Sequence, residues 1–456
     1  MATCLHAPLA LLPSGWERDV AVSVADDGTI AAVHAGRARG DAQDAGGPLV
    51  PAMPNLHSHA FQRAVAGRSG QAGRGGEASF WPWRQAMYGF VGRLDPDACE
   101  AIAAQAYAEM AKAGYGAVAE FHYVHHDPDG RPYADRAEMS ARVLAAAQAA
   151  GTPLTLLPVY YAHGGFGGVP PTPAQRRFVM STGAFATLVE ALLPLAAAQR
   201  AIVGVAPHSL RAVAPDELDR VVAASPAGSP VHIHVAEQIA EVDGCLAWSG
   251  ARPVEWLLGH CAVDARWCLV HATHMEDRET HALAASGAVA GLAPTTEADL
   301  GDGVFPGVAY AAQGGHWGVG SDSNTIVDPF AELRQLEYSQ RLAHRRRNLM
   351  HGAGLSTGAA MWLAAARSGA QACGRKAGAI EVGAQADLVV LDRDEAALAG
   401  HGDTVLDAAI FGPCRAPVRH TMLRGLWVVR DGHHRDGDRS FARYRRTIER
   451  LAKAEP

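Results

Sequence analysis

Through the middle of the chain, short apolar runs alternate with Ala-rich segments of helical period, and this alternation narrows the possible folds more than any other feature. Eight runs read as strands: "LVPAMPNLHSHA", "AVAEFHYVHH", "PLTLLPVYYA", "AIVGVAPHS", "PVHIHVAEQ", "WCLVHATHM", "AVAGLAPTT" and "HWGVGSDSN". Between them, Asp97 to Ala113, Arg136 to Ala150 and Pro215 to Ala224 suit helices. Repeated strand and helix units of this kind build a parallel sheet. A doubly wound sheet would give a similar alternation. The polar residues favour the barrel: they gather where each apolar run stops, as in a (β/α)8 TIM-like barrel, whose functional groups sit at the C-terminal strand ends.

Both ends of the chain have a different texture. "DVAVSVADDGTIAAVHAG", broken at Asp27-Gly28, predicts an antiparallel hairpin, and "GAIEVGAQADLVVLDRD" and "VRHTMLRGLWVVRDG" have the same short-strand, Gly-turn character. The two ends are therefore expected to share a small β-sandwich domain. Residues 1–50 would supply its N-terminal part, 51–372 the barrel, and 373–456 its C-terminal part plus a terminal helix.

A chain of 456 residues has room for that organisation, and 48% hydrophobic with 19% charged residues excludes a disordered polymer. Forty Lys plus Arg against 47 Asp plus Glu give a net charge of -7 without a basic stripe, which argues against a nucleic-acid partner. The run Arg345 to Asn348, "RRRN", reads as a solvated helix face. Seven scattered cysteines form no zinc-ribbon or disulfide pattern and read as reduced thiols of a cytoplasmic protein. There is no basic region before an apolar N-terminal run, and no uninterrupted apolar stretch of about eighteen residues, so neither a secretion signal nor a membrane span is expected.

Residues i and i+2 of a strand face the same side, so His57 and His59 can converge on one ion while Ser58 points away. Other strand ends repeat the theme. Strand five ends with His232, His234 and then Glu237, strand six with His271 and His274, strand eight with Asp322. Imidazoles with a carboxylate suit zinc, and iron or manganese are alternatives. A hydrolytic metal site needs water in a coordination position, a base to take its proton and an acid to return it to a leaving group. Glu237, His271 and Asp322 are the groups available for this.

With these motifs in view, "NLHSHA", "HIHVAEQ", "LVHATHM", "GLAPTTEADLGDG", "GVGSDSN" and "GAIEVGAQADLVVLD" resemble the amidohydrolase superfamily over nearly the whole chain. The resemblance implies His57, His59, His234 and Asp322 as metal ligands. Strand four, "VAPHSLR", offers no lysine for a carbamate bridge, so one divalent ion per subunit follows, Zn2+ first, with Fe2+ or Mn2+ as alternatives. His232 and His274 then become supporting or rim residues.

"MPNLHSHAFQRAVAG", "EFHYVHHDPDG", "QRRF", "VAPHSLRAV" and "RPVEWLL" look like the formimidoylglutamate deiminase family of histidine degradation. This implies hydrolysis of N-formimino-L-glutamate to N-formyl-L-glutamate and ammonia, by a homodimer. The alternative is a deaminase of a heteroaromatic base, of the guanine or adenosine type. A diacid needs forked cations, which arginine supplies. By resemblance, His208 and Arg211 would bind one carboxylate, Arg84 and Tyr123 the other, with Gln62 nearby. His271 and Asp322 would deprotonate the attacking water while Glu237 protonates the departing nitrogen. The Gly-rich stretch from Gly67 to Trp83 reads as a lid that brings Arg84 inward.

Overall fold

The computed structural model describes residues 3–68, 80–352 and 354–453. The greater part of the expected lid, 69–79, lies outside the described residues, as do the side chains of 80–83. Among the described residues, no helix is long and apolar enough to cross a membrane.

Eight parallel strands form the barrel. The first four are Met53–Ser58, Tyr115–His122, Leu154–Tyr160 and a split fourth, Ile202–Val203 with Ala206–Pro207. The second four are Val231–Val235, Trp267–His271, Val289–Leu292 and His316–Val319. Regular pairing joins each set of four into its own arc. Parallel bridges then close the ring: Val205 to Val231 and Ser209 to His234 between strands four and five, and Ser58 to Asp322 between strands one and eight. Every residue of the first three strands is buried, as a parallel sheet covered on both faces requires.

The helices begin and end where local chemistry dictates. Pro96–Ala113 starts behind Asp95, whose carboxylate accepts from Ala98 N at 2.7 Å, and stops at Gly114 in the left-handed region. Glu138–Ala150 and Pro215–Ala223 occupy the other two expected helical stretches. The run from Arg345 to Asn348 departs from its reading. It is exposed, but it lies past the end of helix Pro329–His344, because Arg345 adopts φ +56 and leaves the helix.

Both ends of the chain meet in one nine-stranded sheet. Leu49–Pro51 is the link: it pairs parallel with Thr3–Leu12 and antiparallel with Leu388–Leu391. This sheet carries its own core, including Leu5, Val22, Leu49, Leu388 and Met422. The terminal helix Gly437–Lys453 packs against helix Pro96–Ala113, where Arg443 meets Glu100 at 2.5 Å and Arg450 meets Asp95 at 2.7 Å. All seven cysteines are free.

One buried carboxyl in the barrel wall has a predictable cost. Glu120, on strand two, is fully buried and accepts from Ala60 N at 2.7 Å beside the hydroxyls of Ser58 and Tyr107. Burial pushes its pKa up to about 8. In the unfolded chain it ionises near its ordinary value of about 4.3, so the folded state binds the extra proton and stability is lost as pH rises between these values. Glu120→Gln keeps the acceptor and removes the titration. We expect the variant to be more stable at pH 7, by up to about 3 kcal/mol, and near parity at pH 4.5. Denaturant melts at both pH values check this, and an equal effect at both would refute the assignment.

Candidate active site

The donor cluster sits at the C-terminal mouth of the barrel. His57 and His59 come from strand one and His234 from strand five. One nitrogen from each imidazole lies within 4.8 Å of the other two, and all three residues are buried. Nε2 of His57 is 3.1 Å from Nε2 of His234. An Asp322 carboxylate oxygen stands 3.5 Å from His57 Nε2 and 3.3 Å from His59 Nε2.

Ligands about 2.0–2.1 Å from a tetrahedral ion stand about 3.3 Å apart, which these separations match. The tautomers match as well. Nδ1 of His59 donates to Phe121 O at 2.8 Å and Nδ1 of His234 to His208 O at 3.0 Å, which leaves each Nε2 lone pair facing the cluster. His57 Nδ1 is buried without a hydrogen-bond partner, and its Nε2, 3.1 Å from that of His234, is close enough to share one ion with it. Burial lowers the pKa of His57 to about 3, and burial followed by the neighbouring imidazoles drives His234 well below its ordinary value, so both rings are neutral and each keeps one lone pair for an ion. Burial alone would raise the Asp322 carboxyl, but the His57 hydrogen bond and the surrounding imidazoles outweigh it and hold the group well below the carboxylate range. The four residues fit a divalent cation.

The backbone here is strained in a consistent way. Ala236, His271, Ala272, Asp322 and Asn324 have φ of +52, +70, +48, +42 and +56, a conformation costly for non-glycine residues. All lie at or just past strand ends, where the chain turns sharply to aim side chains at the mouth. Asn324 secures the turn by donating to Ser58 Oγ, His59 O and Asp322 O at 3.2, 3.0 and 3.1 Å. Ser58 thus faces away from the cluster.

Proton-handling groups flank the donors. Glu237 Oε1 is 3.8 Å from His271 Nε2, and Asp322 Oδ2 is 3.9 Å from the same nitrogen. On its other side His271 meets Glu297, Nδ1 to Oε1 at 3.2 Å. Burial pulls His271 down, yet the charges of Glu237 and Asp322 with the Glu297 hydrogen bond push it up to about 10 among protein charges alone. Glu237 is displaced upward, chiefly by burial. Glu241 fixes the turn that presents it, accepting from Ala236 N and Glu237 N at 3.2 Å each.

Gln62, Arg84, Tyr123, His208 and Arg211 line one cavity together with His59, His234, Glu237, His271 and Asp322. All the residues singled out for binding and proton transfer therefore border the same space. Arg211 also faces two carboxylates of the protein: Glu237 and Glu241 stand 3.7 and 3.8 Å away. His232 bonds Ala372 O at 2.8 Å and His274 bonds Asp302 O at 2.8 Å, so both support the wall rather than the ion.

Sequence reasoning missed Tyr88, Tyr161 and Phe178 in the cavity wall, and Glu241 and Glu297 behind it. Two signals were available. Tyr161 directly follows strand three, and Phe178 closes the "QRRF" segment.

Comparison with known proteins agrees with this geometry. Residues 49–428 match the model described as "Amidohydrolase family", and 2–46 match "Formimidoylglutamate deiminase HutF, N-terminal domain". A formimidoylglutamate deiminase of Pseudomonas aeruginosa is 51% identical over 96% of this chain and 97% of its own length. A solved amidohydrolase from Brucella melitensis superposes with TM-score 0.95 at 47% identity, covering 99% of this chain and 100% of that one. An adenosine deaminase from Xanthomonas campestris, solved with bound zinc, shares the fold at TM-score 0.81 and 22% identity, covering 99% of each chain. The chain belongs to the amidohydrolase family and, within it, to the formimidoylglutamate deiminases.

Proposed function

We propose that this protein hydrolyses N-formimino-L-glutamate to N-formyl-L-glutamate and ammonia. The observation that carries the reading is the pairing, in one buried cavity, of a three-imidazole and carboxylate cluster with two arginines, Arg84 and Arg211. A dicarboxylate with a reactive amidine needs both halves. A purine needs no forked cation.

His57, His59, His234 and Asp322 would hold one divalent ion per subunit, zinc ahead of iron or manganese, and such an ion supplies Lewis acidity that brings the pKa of water to about 7. With the Asp322 charge offset by a bound cation, which would bring the His271 pKa down from about 10, His271 Nε2 beside the Asp322 carboxylate takes the proton of the attacking water. The oxygen adds to the formimino carbon, which leaves the terminal nitrogen a neutral amine beside the Glu237 carboxylate; Glu237 then relays to that amine the proton taken from the water. The C–N bond then breaks, ammonia leaves, and the carbonyl forms as the hydroxyl proton passes to the neighbouring carboxylates. His208 with Arg211 holds one carboxylate, and Arg84 with Tyr123 the other, while Gln62 braces Tyr123 through a 2.8 Å hydrogen bond from its Nε2.

Ammonia release should be rapid with formiminoglutamate and absent with guanine and adenosine. Turnover of a purine without turnover of formiminoglutamate would overturn the assignment in favour of a heteroaromatic-base deaminase. We also place the enzyme in the cytoplasm as a homodimer. Light scattering on the same preparation would then give twice the 47.8 kDa chain mass, and metal analysis one zinc per chain.

A further inference from the structure

Two tyrosines that line the cavity have no role in the reading above, and their hydrogen bonds are one-sided. A tyrosine hydroxyl has a single proton to donate and lone pairs to accept with. The Tyr161 hydroxyl accepts from Gln175 Nε2 at 2.5 Å and stands 3.5 Å from Arg84 Nη2. The Gln175 amide cannot turn to reverse this bond, because its oxygen is engaged by Thr172 N at 2.7 Å and Thr172 Oγ1 at 3.1 Å. The Tyr88 hydroxyl likewise accepts from Arg84 Nε at 2.6 Å.

N–H donors thus occupy the acceptor side of both hydroxyls, and the protons left over need an acceptor. The cavity they border contains Arg84, Arg211 and His208, a surrounding suited to an anion. We propose that Tyr161, with Tyr88 beside it, donates directly to the substrate carboxylate held by Arg84, and that Gln175 is the positioning residue that sets the direction of the Tyr161 proton. This rests on the dicarboxylate reading of the site. It also gives the "QRRF" segment a task, since Gln175 opens it and Phe178, at 5.9 Å between ring centroids, packs against Tyr161 at its other end.

The test uses steady-state kinetics of the intact enzyme on formiminoglutamate and on two analogues, each lacking one of the two carboxylates. For Tyr161→Phe we expect KM for formiminoglutamate to rise at least tenfold with kcat falling less than threefold, and KM for one analogue to stay within twofold. Gln175→Glu preserves size and the Thr172 bonds but accepts the tyrosine proton instead of donating. It should raise KM at least as much in the parent, and several-fold less when combined with Tyr161→Phe. An unchanged KM in Tyr161→Phe, equal losses on all three substrates, or additive effects in the double variant would overturn the proposal. Arg84→Gln separates the two levels: if it too leaves KM unchanged, the dicarboxylate reading has failed at this carboxylate, whereas a large Arg84 effect with a silent Tyr161 refutes only the hydroxyl assignment. Thermal melts identify any variant that has lost its fold, and Gln175→Glu then carries the test alone.

Discussion

Glu237→Gln should lower kcat by roughly 10² to 10⁴-fold, the range for removing one general acid or base, while bound metal and melting temperature stay at parent values. The substitution is nearly isosteric, and Glu237 is outside the ligand set. Its backbone N–H remains tied to Glu241 at 3.2 Å, so the turn carrying it should persist. What is lost is the capacity to move a proton between the region of His271 Nε2, 3.8 Å away, and the departing nitrogen. Arg211 Nη2, 3.7 Å from the other oxygen, loses a charge partner as well, so KM should move by a smaller factor than kcat. Stopped-time ammonia release together with metal analysis checks the prediction. Near-normal turnover with full metal occupancy would sink the proton-transfer role.

The parts of this site that could be read from sequence are those fixed by the period of a strand. His57 and His59 share a face because residues two apart must, and Ser58 turns to Asn324 for the same reason. The alternation of apolar runs and helical segments likewise places His234, His271 and Asp322 at one end of one ring, since barrel strands run parallel.

What stayed hidden depends on contacts between segments far apart in the chain. The carboxylates that face Arg211 could not be read from sequence, because Glu237 and Glu241 reach it only once strands four and five are side by side. Tyr161 is a tyrosine like others until Arg84, 77 residues away, comes within 3.5 Å of its hydroxyl. Glu297 had a sequence context but no visible partner, because its bond to His271 spans two strand ends. The end of helix Pro329–His344 was misread since charge composition does not reveal that Arg345 takes a left-handed conformation.

The seam between strands one and eight carries the second large expectation. A Cβ on Gly320 would lie 2.6 Å from His57 O and 2.7 Å from His57 N, against backbone that cannot rotate aside. Around that point Asp322 N bonds His57 O at 3.0 Å, His59 N bonds Asp322 O at 2.9 Å, and Gly320 N bonds Leu292 O at 2.8 Å. One added methyl therefore has to push apart the two strands that carry His57, His59 and Asp322. We expect Gly320→Ala to cost about 1–3 kcal/mol of stability or more, as overpacking does. It should also lose most bound metal and reduce kcat/KM at least a hundredfold, because Asp322 would no longer stand within 3.5 Å of both imidazoles. Gly259→Ala is the control. That glycine lies inside helix Pro253–His260 with nothing within 4 Å of an added Cβ, so alanine there should leave activity intact and stabilise by up to about 1 kcal/mol. The contrast isolates the cause, since both variants add the same methyl and only one of them meets the backbone of a proposed ligand. Full metal content and parent-like activity in Gly320→Ala would show that the seam can open without disturbing the donors, and the close approach of strand eight to His57 would then have no bearing on the site.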